Sequence, residues 1–312
     1  MASSACSQPT LSCSRPPVVE RARPLLGTYV AIRVRGLTDA RAHRAIDAAF
    51  EEIASIHARM SFHEPESDVS RLNREAIHRP VTVDPRTVEV LRLARQFGEH
   101  SRGCFDITVA AQLVDWGILP RPDCPQRPDP RGCWRDVELL VGGAVRFHRA
   151  VWIDLGGIAK GYAVDRAIEC LYRWGAPQCS VNAGGDLRIL GPEMERIGLD
   201  WGSSADSVLP ILELESGSVA SSSGRSACRR HRVGVYGPHV DGRQRGPVGT
   251  RSFVCVVADR CVVADALTKV VMLAGPSATA LLDHYRAGAL VVSAGGIVRM
   301  TRDLQSTVCL AT

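Results

Sequence analysis

The chain has 312 residues, of which 45% are hydrophobic and 23% charged, so it is long enough for one large globular domain or two smaller ones. Its formal net charge of +5 comes from scattered arginines, because the sequence has only two lysines, Lys160 and Lys269. Aromatic residues make up only 5% of the chain, so the sequence argues against a nucleic-acid-binding surface of clustered basic and aromatic side chains. A mildly basic chain does suit a small anionic ligand. No apolar run is long enough for a membrane span.

The N-terminal segment is rich in Ser, Pro and Cys, and we predict a disordered leader over residues 1–22 followed by one domain over 23–312, with two lobes as the alternative. No apolar signal-peptide core is evident, which predicts a cytoplasmic protein, with export as the alternative if translation starts elsewhere. The eleven cysteines include no Cys-x-x-Cys pair and are interpreted as free thiols rather than zinc ligands or disulfides.

Residue spacing predicts mixed secondary structure in the first half of the chain. The alternating pattern of residues 29–34 predicts a strand. A helix is predicted where apolar residues recur at helical spacing, at Ala42, Ile46, Ala49, Ile53 and Ile56. Asp84-Pro85 is a typical helix start, and five prolines mark a surface loop. In chain order the predictions are a strand at 29–34, helices over 42–56 and from 85, a loop at 120–130, and a helix through 164–171 that ends near Gly175.

The second half predicts several short strands and two further helices. The strands are predicted near 179–182, 186–190, 208–214, 230–236 and 252–258, the helices at 263–274 and 276–286, and a closing hairpin at 290–293 and 297–300. Strands and helices do not alternate regularly, so the sequence indicates an α+β fold.

One stretch, residues 154–165, reads Asp-Leu-Gly-Gly-Ile-Ala-Lys-Gly-Tyr-Ala-Val-Asp. Asp154 can accept hydrogen bonds, Gly156 and Gly157 let a ligand approach the backbone, and the helix start offers N–H groups to an anion. The stretch is neither a Walker loop nor a dinucleotide-binding glycine motif. Taken alone, it therefore predicts only a nucleotide or phosphate site.

The same stretch closely resembles the signature of the ApbE family of FAD:protein FMN transferases. Other segments match that family in the same order: 26–29 (Leu-Gly-Thr-Tyr), 60–73 with Met60-Ser61 and Ser70-Arg71-Leu72-Asn73, 103–108 (Gly-Cys-Phe-Asp-Ile-Thr), 182–186 (Asn-Ala-Gly-Gly-Asp) and 264–267 (Ala-Asp-Ala-Leu). Because the resemblance covers roughly residues 25–300, the chain is identified as a member of that family.

The resemblance implies a T-fold-like arrangement of mixed sheets and packed helices that binds FAD. It implies transfer of FMN from FAD to a Ser or Thr hydroxyl of a target flavoprotein, with release of AMP and with Mg²⁺ bridging the phosphates. Two alternatives keep the pocket: an FAD pyrophosphatase that uses water as the nucleophile, and a flavin-binding protein without catalysis.

The resemblance also assigns residues to the FAD site. The implied contacts are Leu26, His63, Cys104, Phe105, Asp106, Asp154 and Lys160. Several have a simpler interpretation, because Phe105 suits a protein core, Asp154 a helix cap and His63 a solvated loop. The 182–186 segment is either part of the site or a tight connection between strands.

The implied metal ligands are the Gly157 carbonyl, Asp265 and Thr268. In the family an Asp-Ala-Leu-x-Thr run supplies a carboxylate and a hydroxyl four residues apart, but here the fourth position is Lys269. An ammonium cannot ligate Mg²⁺. Lys269 therefore either pairs with Asp265 or replaces part of the metal charge against the pyrophosphate.

The family segment His-Ile-Ile-Asp-Pro-x-Thr-Gly has a shortened counterpart at 238–243, where Pro and Thr are missing. His239 is retained there. Histidine suits the base that takes the proton of the acceptor hydroxyl near neutral pH, so His239 is the predicted catalytic residue. The alternative is an ordinary histidine in a surface turn.

Overall fold

The structure is a computed structural model and describes residues 17–200, 210–224, 228–231, 234–248, 253–293, 295–305 and 308–310. The helices are α1 Asp39–Met60, α2 Asp68–Glu75, α3 Pro85–His100, α4 Ala110–Asp115, α5 Ala159–Arg173, α6 Cys261–Ala274 and α7 Thr279–His284. The strands are β1 Val18–Leu25, β2 Thr28–Arg35, β3 Val81–Thr82, β4 Val137–Leu139, β5 Ala144–Phe147, β6 Gln178–Ala183, β7 Asp186–Leu190, β8 Glu195–Gly198, β9 Pro210–Leu214, β10 Gly217–Ser223, β11 Arg229–His231, β12 Gly234–Tyr236, β13 Phe253–Ala258, β14 Gly288–Val292, β15 Val298–Met300 and β16 Val308–Leu310.

An antiparallel sheet of eight strands, in the order β1-β2-β6-β7-β10-β13-β14-β15, is the centre of the fold. Successive side chains of a strand point to opposite faces, and both faces of this sheet are covered. Val254 and Val256 join the core beneath the helices, whereas Phe253 and Cys255 join a second core that includes residues of β8 and β9. The predicted α+β class is confirmed.

Helices α1, α5 and α6 cover one face of the sheet. All five residues that recur at helical spacing in α1 are at most 1% exposed, as the sequence predicts. Helix α3 begins at Pro85, and the side chain of Asp84 accepts the Arg86 N–H at 2.9 Å, which satisfies one of the free donors at the helix start.

Gly161 sets the distance between α5 and α6. A Cβ atom at this position would lie 2.4 Å from the Cys261 carbonyl oxygen and 2.8 Å from the Asp265 Cβ atom. Gly161 therefore allows the two helices to approach so closely that the backbone N–H of Gly161 donates to Asp265 Oδ2 at 3.0 Å.

Gly161→Ala is expected to lower the free energy of unfolding by about 1–3 kcal/mol, because backbone atoms of α6 must move to admit a methyl group. The measurement is chemical denaturation of both proteins. Gly198→Ala is the matched control, since a Cβ atom at Gly198 would meet no atom within 4 Å. Equal stabilities for the two variants would contradict this account of the contact between the helices.

Several predicted boundaries are wrong. Residues 18–22 belong to β1, which pairs with β2 along its whole length, so the predicted disordered leader extends too far; residues 1–16 lie outside the described part of the chain. The single strand predicted at 230–236 is a hairpin of β11 and β12, with 232–233 outside the described residues. The helix predicted at 276–286 is a short 3₁₀ turn, Gly275–Ala278, followed by α7.

The helices predicted over 42–56 and through 164–171 are longer, as α1 and α5. The other predicted elements, including the closing β14–β15 hairpin, lie within two residues of their expected bounds, with 208–209 and 252 outside the described residues. Among the described residues, none of the helices combines the length and apolar character that crossing a membrane requires.

Candidate functional site

A cleft of about 350 Å³ contains most of the residues predicted to form the site. The predicted residues that line it are Cys104, Phe105, Asp106, Asp154, Gly157, Lys160 and His239. Lys269 and Ser221–Ser223 complete the wall beside α6 and β10. A larger cavity of about 770 Å³ lies between α6, α7 and the β14–β15 hairpin, and it includes none of the predicted residues.

Asp154 lies in the loop that leads to α5, and its backbone N–H donates to the Ile107 carbonyl at 2.8 Å. The residue at the cap of α5 is Ile158, so the alternative interpretation of Asp154 as the helix cap is wrong. Burial raises the pKa of Asp154, and the Gly156 N–H and the charge of His63 act in the opposite direction. Asp154 is therefore a carboxyl group inside the cleft, with glycine backbone beside it.

Lys160 is on the first turn of α5 and forms an ion pair with Asp186 at the start of β7. The Asp186 side chain is only 1% exposed, and its Oδ1 atom has no hydrogen-bond partner. Burial alone would lower the pKa of Lys160, but the carboxylates of Asp186 and Asp265 raise it, so the ammonium is charged at neutral pH. Both interpretations of the 182–186 segment apply, since Gly184 and Gly185 form a tight turn with positive φ and Asp186 contacts the site lysine.

Lys269 forms the second ion pair, with the fully buried Asp265 one turn earlier on α6. Its ammonium also donates to the Asp265 carbonyl oxygen at 3.1 Å. Burial would raise the pKa of Asp265, but the charges of Lys269 and Lys160 hold this pKa below its ordinary value. Pairing of Lys269 with Asp265, one of the two sequence alternatives, is thus observed.

The predicted metal ligands do not fit a divalent cation in this arrangement. One Asp265 oxygen accepts the Lys269 ammonium and the other accepts the Gly161 N–H at 3.0 Å. The Thr268 hydroxyl donates to the Asp265 carbonyl at 2.7 Å and lies 2.8 Å from the hydroxyl of Ser222, although Thr268 itself does not line the cleft. In this arrangement the Thr268 hydroxyl is bonded within the protein, and its role as a metal ligand stays a prediction. The described residues also include no cluster of three or more His, Cys, Asp or Glu side chains that could hold an ion.

Cys104, Phe105 and Asp106 also line the cleft and are largely buried. Phe105 packs on Phe97 with ring centroids 5.8 Å apart, so it is a core aromatic that also borders the cleft. Burial raises the pKa of the Cys104 thiol to about 11, which keeps it neutral. None of these features makes Cys104 a nucleophile.

Asp106 binds protein groups with both carboxylate oxygens. One oxygen accepts the N–H and hydroxyl of Thr108 at 2.8 and 2.7 Å, and the other accepts Arg245 Nη2 at 2.9 Å and the Trp134 N–H at 3.3 Å. The carboxylate has little capacity left for a ligand. In the structure Asp106 fastens the loop of Arg245 to the cleft wall, a role that the sequence analysis did not identify.

Leu26 and His63 do not line the cleft. Leu26 occupies the β1–β2 turn with a φ of 56°. His63 is exposed on the loop after α1, although it lies close enough to Asp154 to lower the pKa of that carboxyl group. Neither residue therefore lines the cleft with the other five predicted contacts, although His63 lies near Asp154.

His239 is half-buried in the cleft. Its loop is held to the segment of Cys104 by the Gly242 N–H, which donates to the Cys104 carbonyl at 3.2 Å. A Cβ atom at Gly242 would lie 2.3 Å from the Gly103 carbonyl oxygen, so this close approach requires glycine. Burial, together with the charges of Lys269 and Lys160, lowers the pKa of His239 to about 4. His239 is a neutral imidazole at pH 7 and not an ordinary surface-turn histidine.

Asp165 stabilises the start of α6, and it was not among the site residues predicted from the sequence. This fully buried carboxylate on α5 accepts the first N–H groups of α6, those of Cys261 at 2.9 Å and Val262 at 3.0 Å. Its position on the otherwise apolar face of Val164, Ile168 and Leu171 is the signal that could have identified it.

Comparison with known proteins gives the family and supports the fold. The family model described as the ApbE family matches residues 26–291. The FAD:protein FMN transferase of Vibrio cholerae is 27% identical over 285 residues, which cover 84% of this chain and 84% of that protein. The crystal structure of the ApbE protein from Thermotoga maritima superposes with a TM-score of 0.80 at 28% identity and covers 93% of this chain and 99% of that one. The flavin transferase ApbE from Vibrio cholerae has a TM-score of 0.78 at 22% identity, covers 94% of this chain and 99% of that one, and supports the fold alone. Since the family model spans most of the chain and the fold agrees, this protein belongs to the ApbE family.

Proposed function

We propose that this protein transfers FMN from FAD to a hydroxyl group of a target protein and releases AMP. The observation that carries the proposal is the convergence of two ammonium groups, Lys160 and Lys269, with the neutral imidazole of His239 in one cleft. Membership in the ApbE family supports the same activity, because its relatives include several proteins described as FAD:protein FMN transferases.

In this proposal the diphosphate of FAD lies against the two lysines, since phosphoryl transfer depends mainly on positioning and charge neutralisation. The acceptor oxygen forms a bond to the phosphorus of the FMN half, and the bond from that phosphorus to the AMP oxygen breaks. The proton of the acceptor hydroxyl moves to His239. Asp154 accepts a hydrogen bond from an N–H or O–H group of the flavin nucleotide.

The acceptor in this proposal is a Ser or Thr side chain of a partner flavoprotein, whose hydroxyl has the proton that His239 accepts. The prediction of Mg²⁺ as a cofactor stays a prediction. We assign no step to the metal, because two of its three predicted ligands, Asp265 and Thr268, are already bonded to protein groups.

The test is incubation of the purified protein with FAD and a flavoprotein fragment that has the acceptor motif of the family. Intact mass of the fragment and separation of the nucleotides are measured together. We expect the fragment to gain one FMN and an equal amount of AMP to appear.

Two other outcomes would contradict the proposal. Free FMN and AMP with an unmodified fragment, also when further acceptor fragments are tried, would indicate the FAD pyrophosphatase. Intact FAD that stays bound to the protein would indicate a flavin-binding protein without transfer.

A further inference from the structure

The chain uses arginine for nearly every positive charge, and yet both of its lysines line the same cleft. Of 38 Lys and Arg residues only Lys160 and Lys269 are lysines, and each is paired with a buried aspartate. Lysine and arginine differ in shape: an ammonium is a compact point charge with three donors, whereas a guanidinium is a planar fork. Both positions therefore place a compact cation at the wall of the cleft.

The two ion pairs are oriented alike. The aspartates are 1% and 0% exposed, whereas the side chains of Lys160 and Lys269 are 32% and 17% exposed. The carboxylates therefore lie within the protein, and the ammonium groups lie between them and the cleft. Lys269 donates to the carboxylate and to the backbone carbonyl of Asp265, which leaves one N–H for a ligand.

The same contacts explain why a divalent cation does not fit. The four side chains, Lys160, Asp186, Lys269 and Asp265, carry two positive and two negative charges, so in the protein without FAD a metal ion would add an uncompensated double charge. To reach Asp265 it would have to displace the ammonium from a fully buried carboxylate, which leaves unpaired charge in the interior. A Cβ atom on Gly157 would lie 3.7 Å from Lys269 Cε, so this lysine also fills the space beside the third predicted ligand.

We propose that the Lys269 ammonium, held by Asp265, takes the place of a divalent cation at the diphosphate of FAD, so that this protein binds FAD without Mg²⁺. The inference rests on the proposed function of the cleft as the FAD site. It assigns to Asp265 the role of anchoring an ammonium instead of a metal.

The experiment measures the Kd of the purified protein for FAD in EDTA and in Mg²⁺, and separately the binding of Mn²⁺ to the protein without FAD. For the wild type we expect the same Kd in both buffers and no Mn²⁺ binding. Lys269→Thr removes the ammonium and frees Asp265, so we expect FAD binding to weaken about tenfold or more in EDTA and to recover in Mg²⁺. Mn²⁺ binding should appear in this variant.

Two further variants separate charge from shape. Lys269→Met should weaken FAD binding in both buffers, because it provides neither an ammonium nor a hydroxyl. Lys269→Arg keeps the charge but not the compact shape, so its FAD binding in EDTA should lie between that of the wild type and that of Lys269→Met. Thermal unfolding without FAD checks the fold of each.

Two wild-type results have different meanings. FAD binding by the wild type that strengthens about tenfold or more on addition of Mg²⁺ would overturn this inference and leave the proposed function intact. Absence of FAD binding in either buffer would overturn the proposed function and the inference with it. Lys269→Thr binding as tightly as the wild type in EDTA would also overturn the inference.

Discussion

Asp165→Ala is expected to lower the free energy of unfolding by about 3–5 kcal/mol, because it removes one partner of a buried ion pair and leaves two helix N–H groups without an acceptor. The Asp165 carboxylate is fully buried and accepts Arg188 Nη1 at 2.7 Å as well as the first N–H groups of α6. A negative charge at this end of α6 is also favoured by the helix dipole.

The measurement is chemical denaturation monitored by circular dichroism. Asp165→Asn should lie between the wild type and the alanine variant, since one oxygen is retained and the charge is lost. Asp47→Ala is the matched control: Asp47 is likewise paired with arginine, in its case Arg21 and Arg23, but it is 45% exposed, and little change is expected. An Asp165→Ala protein as stable as the Asp47→Ala protein would contradict the structural role of this carboxylate.

Loss of Asp165 should also disturb the site, because the helix that Asp165 holds, α6, carries Asp265 and Lys269. Asp165 ends the same twelve-residue signature that begins with Asp154. One end of the signature therefore borders the cleft, while the other fixes the helix that completes it. We expect FAD retention to be lost in Asp165→Ala although the residue does not line the cleft.

Features that depend on neighbouring residues could be predicted from the sequence. The buried stripe of α1, the Pro85 start of α3 and the β14–β15 hairpin follow from local spacing and turn chemistry, and all are present. Strand β1 was missed for a physical reason. It is an edge strand whose side chains alternate between exposed and half-buried positions, with Glu20, Arg21 and Arg23 among them, so it lacks the apolar pattern of a central strand.

The remaining features of the site depend on contacts between residues that are far apart in the sequence. Lys160 was predicted to contact FAD, but its partner Asp186 is 26 residues away, at the start of a strand that α5 packs against. Asp106 was predicted as a ligand contact, and yet protein groups from three separate segments already bond its oxygens. A motif shows that a residue belongs near a site, whereas only the fold shows which of its atoms remain available.

His239→Gln is expected to reduce the rate of FMN transfer by about 10²–10⁴-fold and to leave the Kd for FAD within about twofold of the wild type. Glutamine keeps a polar side chain in the cleft but cannot take up the proton of the acceptor hydroxyl. The rate is measured under single-turnover conditions from the mass of the modified fragment. His43→Gln is the matched control, because His43 is exposed on α1 and does not line the cleft, and its transfer rate should stay close to that of the wild type.

The pH profile gives a second, independent check on His239. A base acts in its neutral form, and burial with the charges of Lys269 and Lys160 lowers the pKa of His239 from its ordinary value of 6.5 to about 4. Protonation should therefore slow transfer only as the pH falls toward about 4, and the rate should show no step near the ordinary histidine value. In Lys269→Met, which removes one of these charges, the acid limb should move to higher pH. An acid limb that stays in place in Lys269→Met but disappears in His239→Gln would show that the charge of Lys269 does not contribute to this pKa. A limb unchanged in both variants would exclude His239 as the base.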